Sequence, residues 1–110
     1  MLYFLSACRW SSEKIPEHII PYSKMQNILL DIHLADAIAS REAISEDVQK
    51  RNTLSLYHSI FEKHQISSKQ FQESFNYYLL HPQLLDSMYV NIVIEISKKQ
   101  AEVESKSYAR

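Results

Sequence analysis

Residues 23–40, SKMQNILLDIHLADAIAS, decide the fold. Met25, Ile28, Leu29, Ile32, Ala35 and Ala39 recur at steps of three and four, the spacing that lines one face of an α-helix. Leu30, Leu34 and Ile38 widen that face, so the stretch predicts a central helix buried on more than one side. Ser23 and Gln26 stand three apart at its start, as in a capping box, where hydroxyl and amide each satisfy an otherwise unpaired backbone N–H. The pattern fades near Ser40-Arg41.

Working outward, Ser45-Glu46-Asp47-Val48 supplies a cap with acids in the first turn, where the helix dipole favours them. A second helix is expected from there to Lys63, with Leu54, Tyr57, Ile60 and Phe61 as its apolar stripe. His64-Gln65 closes it and Ile66 inserts into the turn. Ser67 and Gln70 form a second capping box, opening a short third helix with Phe71, Phe75, Tyr78 and Leu79 on one face. Pro82 suits the first turn of a fourth helix, with Leu85, Met88, Tyr89, Ile92, Val93 and Ile96 inward. On the other side, Pro16 and Pro21 disfavour helix just before each, so residues 9–22 read as extended linker.

Composition agrees. The 110 residues include no Gly and three Pro, whereas tight hairpins call for Gly or Asn-Gly. The expected fold class is therefore all-α, a small bundle of four helices (one short) behind an extended N-terminal linker. Twelve Lys and Arg oppose thirteen Asp and Glu, for a net charge of -1, so no field draws the body of the protein to nucleic acid. A single cysteine excludes an intramolecular disulfide. No stretch approaches the roughly 18 apolar residues of a spanning helix.

That cysteine lies in Leu5-Ser6-Ala7-Cys8, which has the shape of a lipobox. Small side chains let an extended backbone enter a protease cleft, and the thiol receives the diacylglyceryl group. The apolar run Met1–Leu5 lacks Lys or Arg and is shorter than the roughly 7–15 residues of a signal core. Residues 1–7 therefore read as a truncated lipoprotein signal remnant, 8–22 as a tether, 23–97 as the helical domain and 98–110 as a tail that frays into solvent. Two or three acyl chains at ~0.8 kcal/mol per buried CH₂ make a stable anchor. The bland alternative is a reduced cysteine packed as a small hydrophobe.

Three stretches, KMQNILLDIHLADA (Lys24–Ala37), FEKHQISSKQFQESFNYYLLHPQLL (Phe61–Leu85) and MYVNIVIEI (Met88–Ile96), resemble the domain-of-unknown-function family 4296 of Bacteroidota envelope lipoproteins. Positions matching its pattern are Asp31, His33, Phe71, Ser74, Tyr77, Tyr78, Pro82 and Tyr89. The resemblance covers most of residues 20–96 and implies location and fold rather than chemistry. The short signal segment departs from the family's pattern.

No constellation calls for catalysis, a metal or a cofactor. In Asp31-x-His33-x-x-Asp36, residues 31 and 33 lie about 160° apart on a helix, so the three cannot converge on one ion. Asp31 reads instead as a partly buried carboxylate bonded by a tyrosine or a backbone amide, with His33 on a helix edge. There is no glycine for a nucleophile elbow or phosphate cradle. Residues 60–80 have the outline of a helix-turn-helix, but the third helix offers Lys69, Gln72, Glu73 and Asn76 rather than a set of Arg and Lys for phosphates and bases. Tyr78 and Tyr89 read as core, and Tyr77 stays open as a contact residue.

The expectation is a non-catalytic, periplasm-facing lipoprotein on the outer membrane that binds another envelope protein, with no nucleic-acid partner. The alternatives are a chaperone-like module whose helix pairs hold apolar segments, and a cytosolic helix-turn-helix regulator.

Overall fold

The computed structural model describes residues 15–42 and 45–108. Four helices follow one another, α1 Tyr22–Glu42, α2 Glu46–Lys63, α3 Ser68–Leu79 and α4 Pro82–Tyr108, and no strand occurs among the described residues. The fold is all-α. Helix α1 is central: it packs against α2 on one side and α4 on another, while α3 packs on α4. Met25, Ile28, Leu29, Ile32, Ala35 and Ala39 are all buried, so every position of the first stripe faces the core.

Two of the three expected caps form. Ser45 Oγ accepts from the Val48 N–H at 3.3 Å, and Ser67 Oγ accepts from the Gln70 N–H at 3.0 Å. The Ser23 cap does not. Helix α1 already begins at Tyr22, and the Pro21 carbonyl takes the first helical bond from the Met25 N–H at 2.8 Å, which leaves Ser23 inside the first turn. Pro82 opens α4 as expected, its missing N–H falling where a helix has no partner for one.

Helix α2 ends in a Schellman turn made without glycine. The Ile66 N–H bonds the Phe61 carbonyl, the Gln65 N–H bonds the Glu62 carbonyl, and Gln65 takes φ 56. A left-handed side-chain-bearing residue costs about 1 kcal/mol. Ile66 packing back on the core offsets that cost and fixes His64, immediately before the turn.

The largest departure from expectation lies upstream of α1. Expected as extended linker, residues 15–21 instead form a turn, closed by the Ile19 N–H to the Pro16 carbonyl at 3.0 Å, and insert into the core. Ile19 and Ile20 are as buried as the α1 stripe and Ile15 packs on the core, while Pro16, Glu17, His18 and Pro21 stay exposed. Two adjacent β-branched residues between prolines are a short apolar plug, and the bundle has a seat for it.

Four side chains expected to face inward do not, the first being Ile38 on α1, which is exposed rather than widening the buried face. Leu54 and Leu79 are exposed, and so is Val93 at 62 %. Ile38, Leu79 and Val93 each lie about 100° round the helix from a buried neighbour (Ala39, Tyr78 and Ile92), whereas Leu54 lies six residues before Ile60, the buried residue of α2. On α4 the seam is the narrower Leu85, Met88, Ile92 row. The C-terminal stretch also differs from a frayed tail. Helix α4 continues to Tyr108, with the side chains from Ser97 to Ser107 exposed. Lys, Gln, Ala and Glu favour helix and no Gly or Pro stops it.

Candidate functional site

Two polar constructions hold the bundle, one at each side of α1. The first receives the segment before it. On α3, Ser74 and Tyr78 stand four residues apart and so share a face, and both are fully buried. Between them they satisfy the backbone of one residue: the Ile20 N–H donates to Ser74 Oγ at 2.8 Å, and the Tyr78 hydroxyl donates to the Ile20 carbonyl at 2.6 Å. In a sheet a neighbouring strand would take these two backbone groups. Here two side chains of a helix replace it. Burial, with the neighbouring Tyr77 and Tyr22, pushes the Tyr78 phenol up to about 12.

The second lies between α1 and α2, which run antiparallel. Asp31 Oδ2 accepts from Lys63 Nζ at 3.0 Å and from His64 Nε2 at 2.8 Å. An ionised carboxylate only accepts, so His64 carries its proton on Nε2 in this contact. One and a half turns along α1, Asp36 Oδ1 accepts from the Tyr57 hydroxyl at 2.8 Å. Burial and this carboxylate raise the Tyr57 phenol to about 12.

An open groove of about 210 Å³ runs alongside this second construction, with an apolar floor of Leu34, Ala35, Ile38, Leu56 and Ile60 and with Asp31, Ser59 and Lys63 at its edges. A further hollow of about 230 Å³ shares Ile38 and Leu56 and ends at Asn52 and Ser55. The two hollows adjoin at Ile38 and Leu56 and line a shallow channel along the α1–α2 seam. Beside it Tyr57, Phe61, Phe71 and Phe75 form a row of half-buried rings, with successive centroids 6.4, 5.1 and 5.9 Å apart.

Burial alone would raise the Asp31 carboxyl, but the hydrogen bonds from His64 and Lys63 and the Lys63 charge outweigh it and hold the group below its ordinary 3.8. A lowered carboxylate stabilises the fold above its unfolded pKa, and that contribution disappears as pH falls through the folded value. Asp31→Ala is therefore expected to cost about 1–2 kcal/mol at neutral pH. The same variant should lose less stability than the parent on acidification below pH of about 4, as urea titrations at stepped pH will measure.

The sequence-singled residues thus fall into separate places. Ser74 and Tyr78 meet at Ile20, and Tyr77 stands edge-on to Tyr78 at 5.3 Å while stacking on His81 at 4.1 Å. His81 Nδ1 donates to the Tyr77 carbonyl at 2.7 Å, locking that stack to the start of α4. His33 is exposed and stands edge-on to Tyr89, which is half-buried rather than core. Phe71 belongs to the aromatic row and Pro82 is exposed. Cys8 lies outside the described residues.

Asp31 is a partly buried carboxylate, but its partners are Lys63 and His64, and the tyrosine goes to Asp36 instead. Among the described residues no three His, Cys, Asp or Glu converge as metal ligands. Ser59 Oγ donates to the Ser55 carbonyl, so the serine that lines the groove with Asp31 is engaged with its own helix. Sequence reasoning missed Lys63, His64 and Ile20; the apolar pair Ile19-Ile20 in a polar stretch was the available signal for the last.

Among the described residues no helix is long and apolar enough to cross a membrane. A family model described as Domain of unknown function (DUF4296) matches residues 16–102. Neither a curated protein nor a solved structure matches the chain.

Proposed function

The chain belongs to the DUF4296 family, and on that footing we propose that it is a lipid-anchored, periplasm-facing envelope protein whose helical domain is a non-catalytic contact module. The observation that carries the contact role is the α1–α2 channel, which is apolar along its floor and polar at both ends. Each hollow, at about 210 and 230 Å³, is open and smaller than the roughly 300–1,000 Å³ usual for small-molecule pockets, which suits gripping a partner's side chains. The anchor rests on Leu5-Ser6-Ala7-Cys8, the one cysteine standing behind two small residues and an aliphatic one.

A second reading, a module that holds apolar peptide segments, is favoured by the ring row Tyr57, Phe61, Phe71 and Phe75 beside that channel. Exposed aromatic edges accept many apolar sequences with little demand for register.

The anchor is tested by growing cells with a labelled fatty acid. Label should enter the parent protein and be absent from Cys8→Ala; equal labelling of both, or of neither, rejects it. A photo-crosslinking side chain at Leu56 then separates the two readings. A single adduct of constant mass supports a dedicated partner, and a smear of many masses supports peptide holding.

A further inference from the structure

We propose that the α3–α4 corner, Leu79-Leu80, is a lipid-contacting surface that rests on the bilayer when the chain is anchored; the proposal depends on the reading of Cys8 as the anchor. Leu80 is the most exposed large apolar side chain described, at 80 %, and Leu79 beside it is 51 % exposed. Together they project where α3 ends and α4 begins.

That corner is at the end of the bundle from which the anchor comes. Tyr78, the residue before Leu79, holds the Ile20 carbonyl. Tyr22 donates to Ser87 Oγ, which itself donates to the Leu84 carbonyl, and Asn91 Nδ2 donates to Gln26 Oε1 at 3.0 Å. Helices α1 and α4 therefore meet near their starts, beside the corner. Val103 lies roughly 30 Å further along α4 at 1.5 Å per residue.

The reach is short. Because Ile15 already packs on the core and Ile20 is gripped through both backbone groups, only the chain between Cys8 and Ile15 separates anchor from bundle. Seven residues span at most about 25 Å even when fully extended. Two leucines alone bind a bilayer weakly, but a short tether raises their effective concentration at the surface by orders of magnitude, as any linked second contact does. Leu79 and Leu80 are flanked in the chain by Tyr77, Tyr78, His81 and Pro82, with no Lys or Arg among them, so the contact made by this corner is apolar.

The test uses the single cysteine. The full chain carrying Leu80→Trp, or Val103→Trp as the distant control, is prepared with Trp10→Phe so that one indole reports. Cys8 is then coupled to a maleimide-bearing lipid in phosphatidylcholine vesicles. Both positions are exposed, so circular dichroism should match the parent. On coupling, Leu80→Trp emission should move to shorter wavelength and be quenched by brominated acyl chains several-fold more than Val103→Trp. Emission of Leu80→Trp that stays at the water-exposed wavelength, or equal quenching at both positions, overturns the proposal. A blue shift that already appears in concentrated uncoupled protein without vesicles also overturns it and assigns the corner to a second copy. Coupling replaces natural acylation, so a failed vesicle result leaves the Cys8 reading standing, whereas unlabelled natural protein defeats that reading and the proposal with it.

Discussion

Ile20→Ala is expected to lower the unfolding free energy by about 2–5 kcal/mol, the range for truncating a large aliphatic side chain in a packed core. The residue precedes the first helix, and a linker position would tolerate the change with almost no effect. Its side chain is 1 % exposed and surrounded by core residues. A domain of this size has about 5–15 kcal/mol in all, so the single change removes a large share. Val93→Ala supplies the contrast: outward on α4, it should shift stability by less than about 0.5 kcal/mol. Urea denaturation of the two variants reads both numbers. A neutral Ile20→Ala would return residues 15–21 to the status of linker.

Tyr78→Ala should be the costliest substitution on α3, at about 3–5 kcal/mol, because it deletes a fully buried ring and the donor to the Ile20 carbonyl together. Tyr78→Phe separates the two contributions. It keeps the ring and should cost about 1–3 kcal/mol, the penalty for stranding a buried polar group. Ser74→Ala falls in the same range for the Ile20 N–H. The phenol gives an independent readout. Raised from 10.0 to about 12, chiefly by burial, it stabilises the fold below pH 10.0, and that contribution is lost as pH rises toward about 12. Phenolate absorbance of the parent should therefore show two late-titrating tyrosines, Tyr57 and Tyr78, of which Tyr78→Phe removes one. A Tyr78→Phe variant as stable as the parent would mean the hydroxyl contact to Ile20 does not hold the segment.

The helices were legible because their signals are local. Apolar residues at steps of three and four placed α1 without help from the rest of the chain, and Ser45, Ser67 and Pro82 marked starts that need only the next turn to act. Where a signal needed a distant partner, the sequence was silent. Ser23 had the capping pattern, but a backbone carbonyl one step earlier took the first bond. Ile19-Ile20 looked like linker because the two groups that receive it, Ser74 and Tyr78, lie 54 and 58 residues away from Ile20. Asp31 was correctly read as a hydrogen-bonded carboxylate, while its partners depended on a Schellman turn that puts His64 beside α1. The C-terminal extension of α4 was missed for the opposite reason: loss of an apolar stripe removes the reason to pack, not the propensity to stay helical.

The proposed arrangement is a helical contact domain held close to a membrane by an acylated cysteine, with Ile19 and Ile20 buried in its core. Intact mass spectrometry of the natural protein, isolated from envelope membranes, tests it most directly. The account predicts a chain that begins at Cys8 and carries the added mass of a diacylglyceryl group and, where present, an amide-linked acyl chain. An unmodified polypeptide still beginning at Met1, recovered free of membranes, contradicts it.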